Sequence, residues 1–234
     1  MPLKKLFAAA LVAGVFAAFV TAGFHWLFTE PVIDRAVEIE AQSSPHGEEP
    51  VVGRSMQKVG LFVGFVVYGL AWGTLLASLV YALGPQRPAG ANAGEYFFVA
   101  LLLGWSVALF PLLKYPANPP GVGEAGTIGY RQELFVIAIA LSLVGMVAAL
   151  VARKSLRRSG TAAAALVAAV YALYLIVVYA ALPDNPDPVR LDGELVKSFR
   201  LRSLAGQLIF WTVLGGAFAG LLRAPTHAGG AHAR

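Results

Sequence analysis

Cysteine is absent from all 234 residues. That excludes disulfide staples, thiolate zinc sites, iron–sulfur ligation and a cysteine nucleophile. It leaves the compartment open, because a membrane protein on either side does without disulfides. Charge is scarce too: Asp, Glu, Lys and Arg make up 13% of the chain, against 58% hydrophobic residues. A soluble domain is about a quarter charged, so this chain lacks the polar groups to cover a globular surface. Signatures of catalysis are also missing. There is no HExxH, no GxSxG, no P-loop and no glycine-rich dinucleotide fingerprint. No enzyme is expected, and no catalytic residue is assigned. Without a nucleotide site the chain does not energise transport by itself, and no apolar segment carries the buried carboxylate that proton-coupled pumps use as a relay.

What the chain does have is long apolar runs. Six stand out, at roughly 6–28, 59–83, 96–113, 134–152, 161–182 and 204–222, and mean hydropathy is +0.68. Each is about long enough to cross some 30 Å of hydrocarbon as a helix, and none holds an acidic or basic residue in its interior. Helices are expected because every backbone N–H and C=O must be paired within lipid. The reading is an all-α polytopic membrane protein, a bundle of about six transmembrane helices forming one integral membrane domain over 1–234, with a short flexible tail at 224–234.

The formal charge of +5 does not point to nucleic acid, because the bases are dispersed; membrane lipid is the expected surroundings. Lys and Arg divide evenly between the two sides, so position decides orientation. Arg153-Lys154…Arg157-Arg158 is a tight basic cluster free of acids, as in cytoplasmic loops. All the acids but Glu95 fall on the other side. Both termini are therefore expected in the cytoplasm, with the acidic, proline-rich loops outside. Lys4-Lys5, an apolar run and Val20-Thr21-Ala22 have the outline of a cleaved signal. The run continues through Phe24, Trp26, Leu27 and Phe28, longer than a signal core, so a retained span is expected. Small residues recur every fourth position at Ala10, Gly14, Ala18 and Ala22, at Gly60/Gly64 and Gly69/Gly73, and at Gly216/Gly220. This spacing lets helix backbones approach closely, within the chain or against a partner.

A motif appears twice. The third run ends in Lys114-Tyr115-Pro116-Ala117-Asn118-Pro119-Pro120, and the fifth in Leu182-Pro183-Asp184-Asn185-Pro186-Asp187-Pro188. Each Pro-x-Asn-Pro is followed by an arginine before the next run, Arg131 and then Arg200. Helix, loop, arginine, helix is thus an internal two-helix repeat in parallel orientation, an arrangement used by some transporters. Each Asn is expected to stop its helix ahead of a proline. Two readings stand: plain helix stops, or two rigid loops meeting at the outer mouth, held by Arg131 and Arg200 against loop acids or carbonyls.

His25 is the one side chain titrating near neutrality inside an apolar run. Glu30, Asp34 and Glu38 follow at helical spacing, with Glu40 beyond, though Pro31 is expected to bend the path. An imidazole with carboxylates suits a borderline divalent metal, so His25, Glu30, Asp34, Glu38 and Glu40 are candidate ligands. The alternative is an interfacial anchor beside Phe24 and Trp26, followed by a solvated amphipathic helix. His46, His227 and His232 are weaker candidates.

These motifs resemble the CbtA family, proposed cobalt transporter subunits of bacteria, and most closely its actinobacterial-type members. The resemblance rests on Phe28-Thr29-Glu30-Pro31-Val32-Ile33 with Glu38-Ile39-Glu40, and on the run from Lys114 to Pro120 with Gly123 and Thr127…Arg131. It closes with Leu182-Pro183-Asp184-Asn185-Pro186 and Phe199-Arg200…Ser203…Gln207. It implies a role in cobalt uptake for cobalamin synthesis in the bacterial cell membrane. Co²⁺ would be cargo rather than a stably bound cofactor. The companion it implies is a CbtB-like small single-span protein with a histidine-rich end. Family members are usually described with about five spans, one fewer than counted here. Against this stand a structural or assembly protein without transport, and a transporter for another solute. Oligomeric state carries no signal in the sequence.

Overall fold

A computed structural model describes residues 2–43, 52–83, 93–156, 160–189 and 191–223. The described residues form helices and no strands. Eight α-helices run in order: α1 (Leu3–Phe24), α2 (Glu30–Ser43), α3 (Arg54–Leu83), α4 (Ala93–Gly104), α5 (Phe110–Lys114), α6 (Ile128–Ser155), α7 (Gly160–Ala181) and α8 (Gly193–Arg223). A five-residue π-turn joins α1 to α2 without a break, and another joins α4 to α5. Six continuous helical segments are long and apolar enough to cross a membrane: Leu3–Gln42, Arg54–Leu83, Ala93–Lys114, Ile128–Ser155, Gly160–Ala181 and Gly193–Arg223. Six crossings leave Leu3 and Arg223 on the same side. The end of α2, the start of α3 and the loops after α5 and α7 lie at the opposite end, here called the proline-loop end.

Several helices overrun their apolar cores at that end. α3 starts at Arg54, α6 at Ile128 and α8 at Gly193, one to three turns before the hydrophobic stretch each contains. Pro31 does not break or deflect the first helix into a loop. Both π-turns, His25–Thr29 and Trp105–Leu109, are followed directly by a residue and a proline, Glu30-Pro31 and Phe110-Pro111. Proline has no N–H, and its ring collides with the carbonyl four residues back. Widening the turn by one residue lets the helix carry the proline onward. Accordingly Glu30 N–H reaches the carbonyl of His25, and Phe110 N–H that of Trp105, each five residues earlier.

α1 is the centre of the bundle, packed between α3 and α8, and α8 in turn packs on α4, while α6 pairs with α7. Ala10, Ala13, Ala17 and Ala18 are fully buried. Gly14 of α1 faces Gly69 of α3 so closely that a Cβ on either would collide with the other's carbonyl, and Gly73 meets the carbonyl of Ala10 in the same way. This part of the small-residue ladder is intrachain packing. Gly60, Gly64, Gly216 and Gly220 face open surroundings. The core is completed by Phe210, Trp211, Leu214 and Phe218 of α8. On α7 only Leu175 and Val178 are buried, leaving Leu166, Val170, Leu173 and Ile176 facing outward. Such a surface suits hydrocarbon, not water.

The close approach makes a contrast testable. Gly14→Val adds atoms where no space exists, and overpacking of this kind costs about 1–3 kcal/mol or more. Thermal unfolding in detergent should show a clear fall for Gly14→Val and no comparable change for Gly60→Val.

Candidate functional site

At the end of α1, where the π-turn begins, His25 faces into the bundle. Its ring stacks on Phe65 of α3, with centroids 5.2 Å apart. Its Nδ1 lies 2.8 Å from the Thr29 hydroxyl, one turn on. The Nε2 edge lies against Gly206 of α8, where any Cβ would strike the imidazole. Just beside that glycine, Gln207 Oε1 accepts a hydrogen bond from Tyr68 at 3.1 Å. Trp26, by contrast, is half exposed on the outer surface.

One turn further, α2 meets the start of α3. Glu30 is buried and Asp34 half-buried. A single nitrogen of Arg54, Nη2, donates to both: to Glu30 Oε2 at 2.7 Å and to Asp34 Oδ1 at 2.6 Å. Arg54 Nε also donates to Asp34 at 3.0 Å, and Lys58 Nζ to its other oxygen at 2.9 Å. Two carboxylates thus face two cations, and the cluster is neutral. Such partly buried, charge-assisted bonds are the strong ones. Glu38 and Glu40 are exposed and stand away from this cluster. Among the described residues no three His, Asp or Glu side chains come together to hold a metal. His46, His227 and His232 lie outside the described residues. Sequence reasoning did not single out Arg54 and Lys58. Their signal is spacing, four apart at the start of a helix that follows an acidic segment, which puts them on one face.

The two Pro-x-Asn-Pro loops begin earlier than expected. α5 ends at Lys114 and α7 at Ala181, so the asparagines do not stop the helices. The stop comes ahead of the first proline of each motif, where Tyr115 and Leu182 precede Pro116 and Pro183; Tyr115 has swung to φ −122°, ψ 79°. The restriction on pre-proline residues acts at the first proline met, and the second finds the chain already extended.

Freed from the helices, the loops lock into one another. Arg131, which follows the first loop, pairs with Asp187 of the second, Nε to Oδ2 at 3.0 Å. Arg200, which follows the second loop, donates from Nη2 to Asn118 Oδ1 of the first at 2.8 Å. Lys114 Nζ reaches Asp184 at 2.7 Å while lying over the Tyr179 ring, and the Tyr115 hydroxyl donates to the Pro183 carbonyl at 2.7 Å. Asp187 is the hub, and it was not among the residues singled out from sequence. Its Oδ2 also takes the Thr127 hydroxyl at 2.8 Å and the Glu124 N–H at 3.1 Å, and its side chain is 3% exposed. Arg131 reaches it by lying across Gly123, whose φ of +100° and missing side chain make the room. The asparagines differ in use. Asn185 Oδ1 accepts the N–H of Asp187 at 3.1 Å, an Asx turn within its own loop, whereas Asn118 reaches across to Arg200. Pro119 is buried and its carbonyl closes a turn with Val122, while Pro186 is exposed. Beside the clasp lies a cleft of about 650 Å³, whose polar lining includes Tyr115, Asn118, Arg131, Gln132 and Asn185, with Pro116 and Phe135 also facing it.

The Thr127 hydroxyl above all, with the Glu124 N–H and the Arg131 charge, holds the Asp187 carboxyl below its usual range, against the opposite effect of burial. A depressed carboxyl contributes stability above its unfolded pKa of about 3.9. That contribution is lost as pH falls through the lower folded value. The difference in melting temperature between the protein and Asp187→Asn should therefore be constant above about pH 5 and shrink below about pH 4. Melting curves across that range check it. For the other arm, a double-mutant cycle of Asn118→Ala with Arg200→Ala should give a coupling of about 1 kcal/mol or more, as for a hydrogen bond to a charged group.

No curated protein and no solved structure matches the chain. A family model does, that of "Probable cobalt transporter subunit (CbtA)", and it matches residues 3–223, every transmembrane segment and both loops included. With six apolar helices and an unbroken match of that length, the chain is a multi-pass membrane protein that belongs to the CbtA family of transporter subunits.

Proposed function

We propose that the chain is the membrane subunit of a bacterial Co²⁺ uptake system that serves cobalamin synthesis, that it is not an enzyme, and that it resides in the cytoplasmic membrane. The family match across 3–223 carries this reading. Among CbtA proteins we assign it to the actinobacterial type, on the Lys114–Pro120 run and the Phe28–Ile33 segment. The basic Arg153-Lys154 end faces the cytoplasm and the proline-loop end faces outward, where cargo arrives.

The geometry supports a cation path at that end. Arg54 Nη2 sits within 2.7 Å of an oxygen from each of Glu30 and Asp34, so one position between two carboxylates already holds a cation. An arriving divalent ion competes with Arg54 for it. Below lies His25, with Nδ1 occupied by Thr29. A ring N–H donated to Thr29 leaves Nε2 unprotonated, but Nε2 lies against Gly206, so an ion reaches it only where α8 gives way. Glu38 and Glu40 flank the approach as exposed carboxylates. Co²⁺ is taken here as passing cargo, with its ligands shared between this subunit and a partner. A CbtB-like single-span protein with a histidine-rich end would supply imidazoles here. The interlocked loops and their cleft, with Lys114, Asn118, Arg131, Asp184, Asn185 and Arg200, form the outer vestibule.

A specific observation favours a second reading, a structural or assembly role. Glu30 is already paired with Arg54, and Asp34 with both Arg54 and Lys58. The two readings part on flux per folded molecule. Radioactive cobalt uptake at limiting concentration, in cells expressing the chain alone, with the CbtB-like partner, and with His25→Ala, is the decisive measurement. Uptake should need the chain, rise with the partner, and fall about tenfold or more with His25→Ala, the scale of losing a metal-site group. Unchanged uptake in a clean deletion would sink the transport reading. Alanine at His25, Glu30, Asn118 and Asn185 that alters stability but not flux per folded molecule would establish the structural one. Competition by Ni²⁺ but not by unrelated solutes separates metal transport from carriage of another solute.

A further inference from the structure

At the proline-loop end most described cations have a partner. Arg54, Lys58, Lys114, Arg131 and Lys197 each face a carboxylate, and Arg200 an amide oxygen. Arg35 and Arg202 do not. Among the described residues neither has a carboxylate within the 4.0 Å of an ion pair. The two lie on different helices, α2 and α8, yet they line the same cleft of about 550 Å³ together with Ser198. Ser198 and Arg202 are four apart and share a face of α8.

The rest of that cleft has a matching polarity. Its lower wall is apolar: Leu27 and Phe28, which are 60% and 53% exposed, with Val32 and Leu195 behind them. Its rim carries Asp192 and Glu194, and both are committed to the start of α8. Asp192 Oδ2 caps the helix by accepting the Leu195 N–H at 3.1 Å, and Glu194 lies 4.0 Å from Lys197. The depth is that of a headgroup. Arg35 stands seven residues past Phe28, roughly 10 Å beyond the end of the apolar run, and Arg202 stands just before the apolar stretch of α8. Trp26, half exposed nearby, is where interfacial aromatics sit.

We infer that this cleft binds the phosphate of an anionic phospholipid, with Arg35, Arg202 and the Ser198 hydroxyl on the phosphate oxygens and the acyl chains along Leu27 and Phe28. Guanidinium forks match phosphate oxygens in geometry and charge. A lipid satisfies both halves of the cleft, where a free anion would satisfy only one. This inference stands apart from the transport reading, since lipid binding is measured without metal.

The test uses the full chain purified in neutral detergent. Phosphatidylglycerol, phosphatidylcholine and inorganic phosphate are added separately, and bound lipid is read by native mass spectrometry alongside the melting temperature. Phosphatidylglycerol should bind and stabilise, phosphatidylcholine and inorganic phosphate should not. Each surface cation near lipid is worth about fivefold in affinity. Arg35→Gln and Arg202→Gln should each weaken phosphatidylglycerol binding by about that factor, and the double variant by about thirtyfold, with the melting temperature in neutral detergent unchanged. Arg153→Gln with Lys154→Gln, at the opposite end, should leave the stabilisation in place. Full stabilisation of the double arginine variant by phosphatidylglycerol would overturn the inference. Inorganic phosphate acting as well as the lipid would overturn it too, in favour of a free-anion site.

Discussion

The close approach of α1 and α3 at Gly14 and Gly69 is the contact on which the acid–base cluster of Glu30, Asp34, Arg54 and Lys58 depends. With no side chain between them, the two backbones act as a fixed pivot. From that point Glu30 lies sixteen residues along the first helix and Arg54 fifteen back along α3, arms of roughly 24 and 22 Å at the helical rise. The one-residue surplus falls on the arm that contains the π-turn, and a π-turn absorbs one extra residue in the same rise. The proline that requires the wide turn thus also sets the register at which the acids of α2 meet the bases of α3. Shifting either helix by a residue would take Glu30 off the guanidinium and leave a buried carboxylate unpaired, a strongly unfavourable state.

The interlocked loops follow from a different part of the packing. The two helix–loop–helix units, besides being joined internally by their loops, also pack on one another, α4 on α8 and α6 on α7. An arginine at the start of the second helix therefore comes within reach of the other unit's loop as well as its own. Arg131 reaches Asp187 and Arg200 reaches Asn118 for that reason. The consequence is mechanical. Lifting the first loop releases Arg200 and Arg131, and lifting the second releases Arg131, Lys114 and the Tyr115 hydroxyl, so neither loop moves without disturbing the other's partners.

The six spans were legible in the sequence because hydrocarbon imposes length and polarity on each segment separately. The family was legible too, since the run from Lys114 to Pro120 is local and specific. What the sequence hid is whatever depends on two segments at once. Pro31 reads as a bend when taken alone, and the preceding π-turn is what lets the helix carry it onward. Glu30 and Asp34 read as metal ligands in isolation. Their partners Arg54 and Lys58 stand twenty or more residues away, and packing brings them in. Asp187 was passed over for Asp184 although both flank the same asparagine. The choice between them rests on Thr127 and Arg131, sixty and fifty-six residues upstream.

Within the two clusters at this end charge is balanced inside the molecule. Glu30 and Asp34 cancel Arg54 and Lys58, and Asp187 cancels Arg131. On the transport reading proposed above, a cation entering at Glu30 and Asp34 gains chiefly by exchange. It must bring to Glu30 and Asp34 more than Arg54 gives them. A divalent ion has twice the charge on a smaller radius, whereas a monovalent ion offers the carboxylates no more charge than the guanidinium and fewer directed bonds. Under that proposal, exchange against an internal arginine is a selectivity device in itself. It would favour ions of higher charge density without a preformed cage, and leave the cluster neutral again once the ion has moved on.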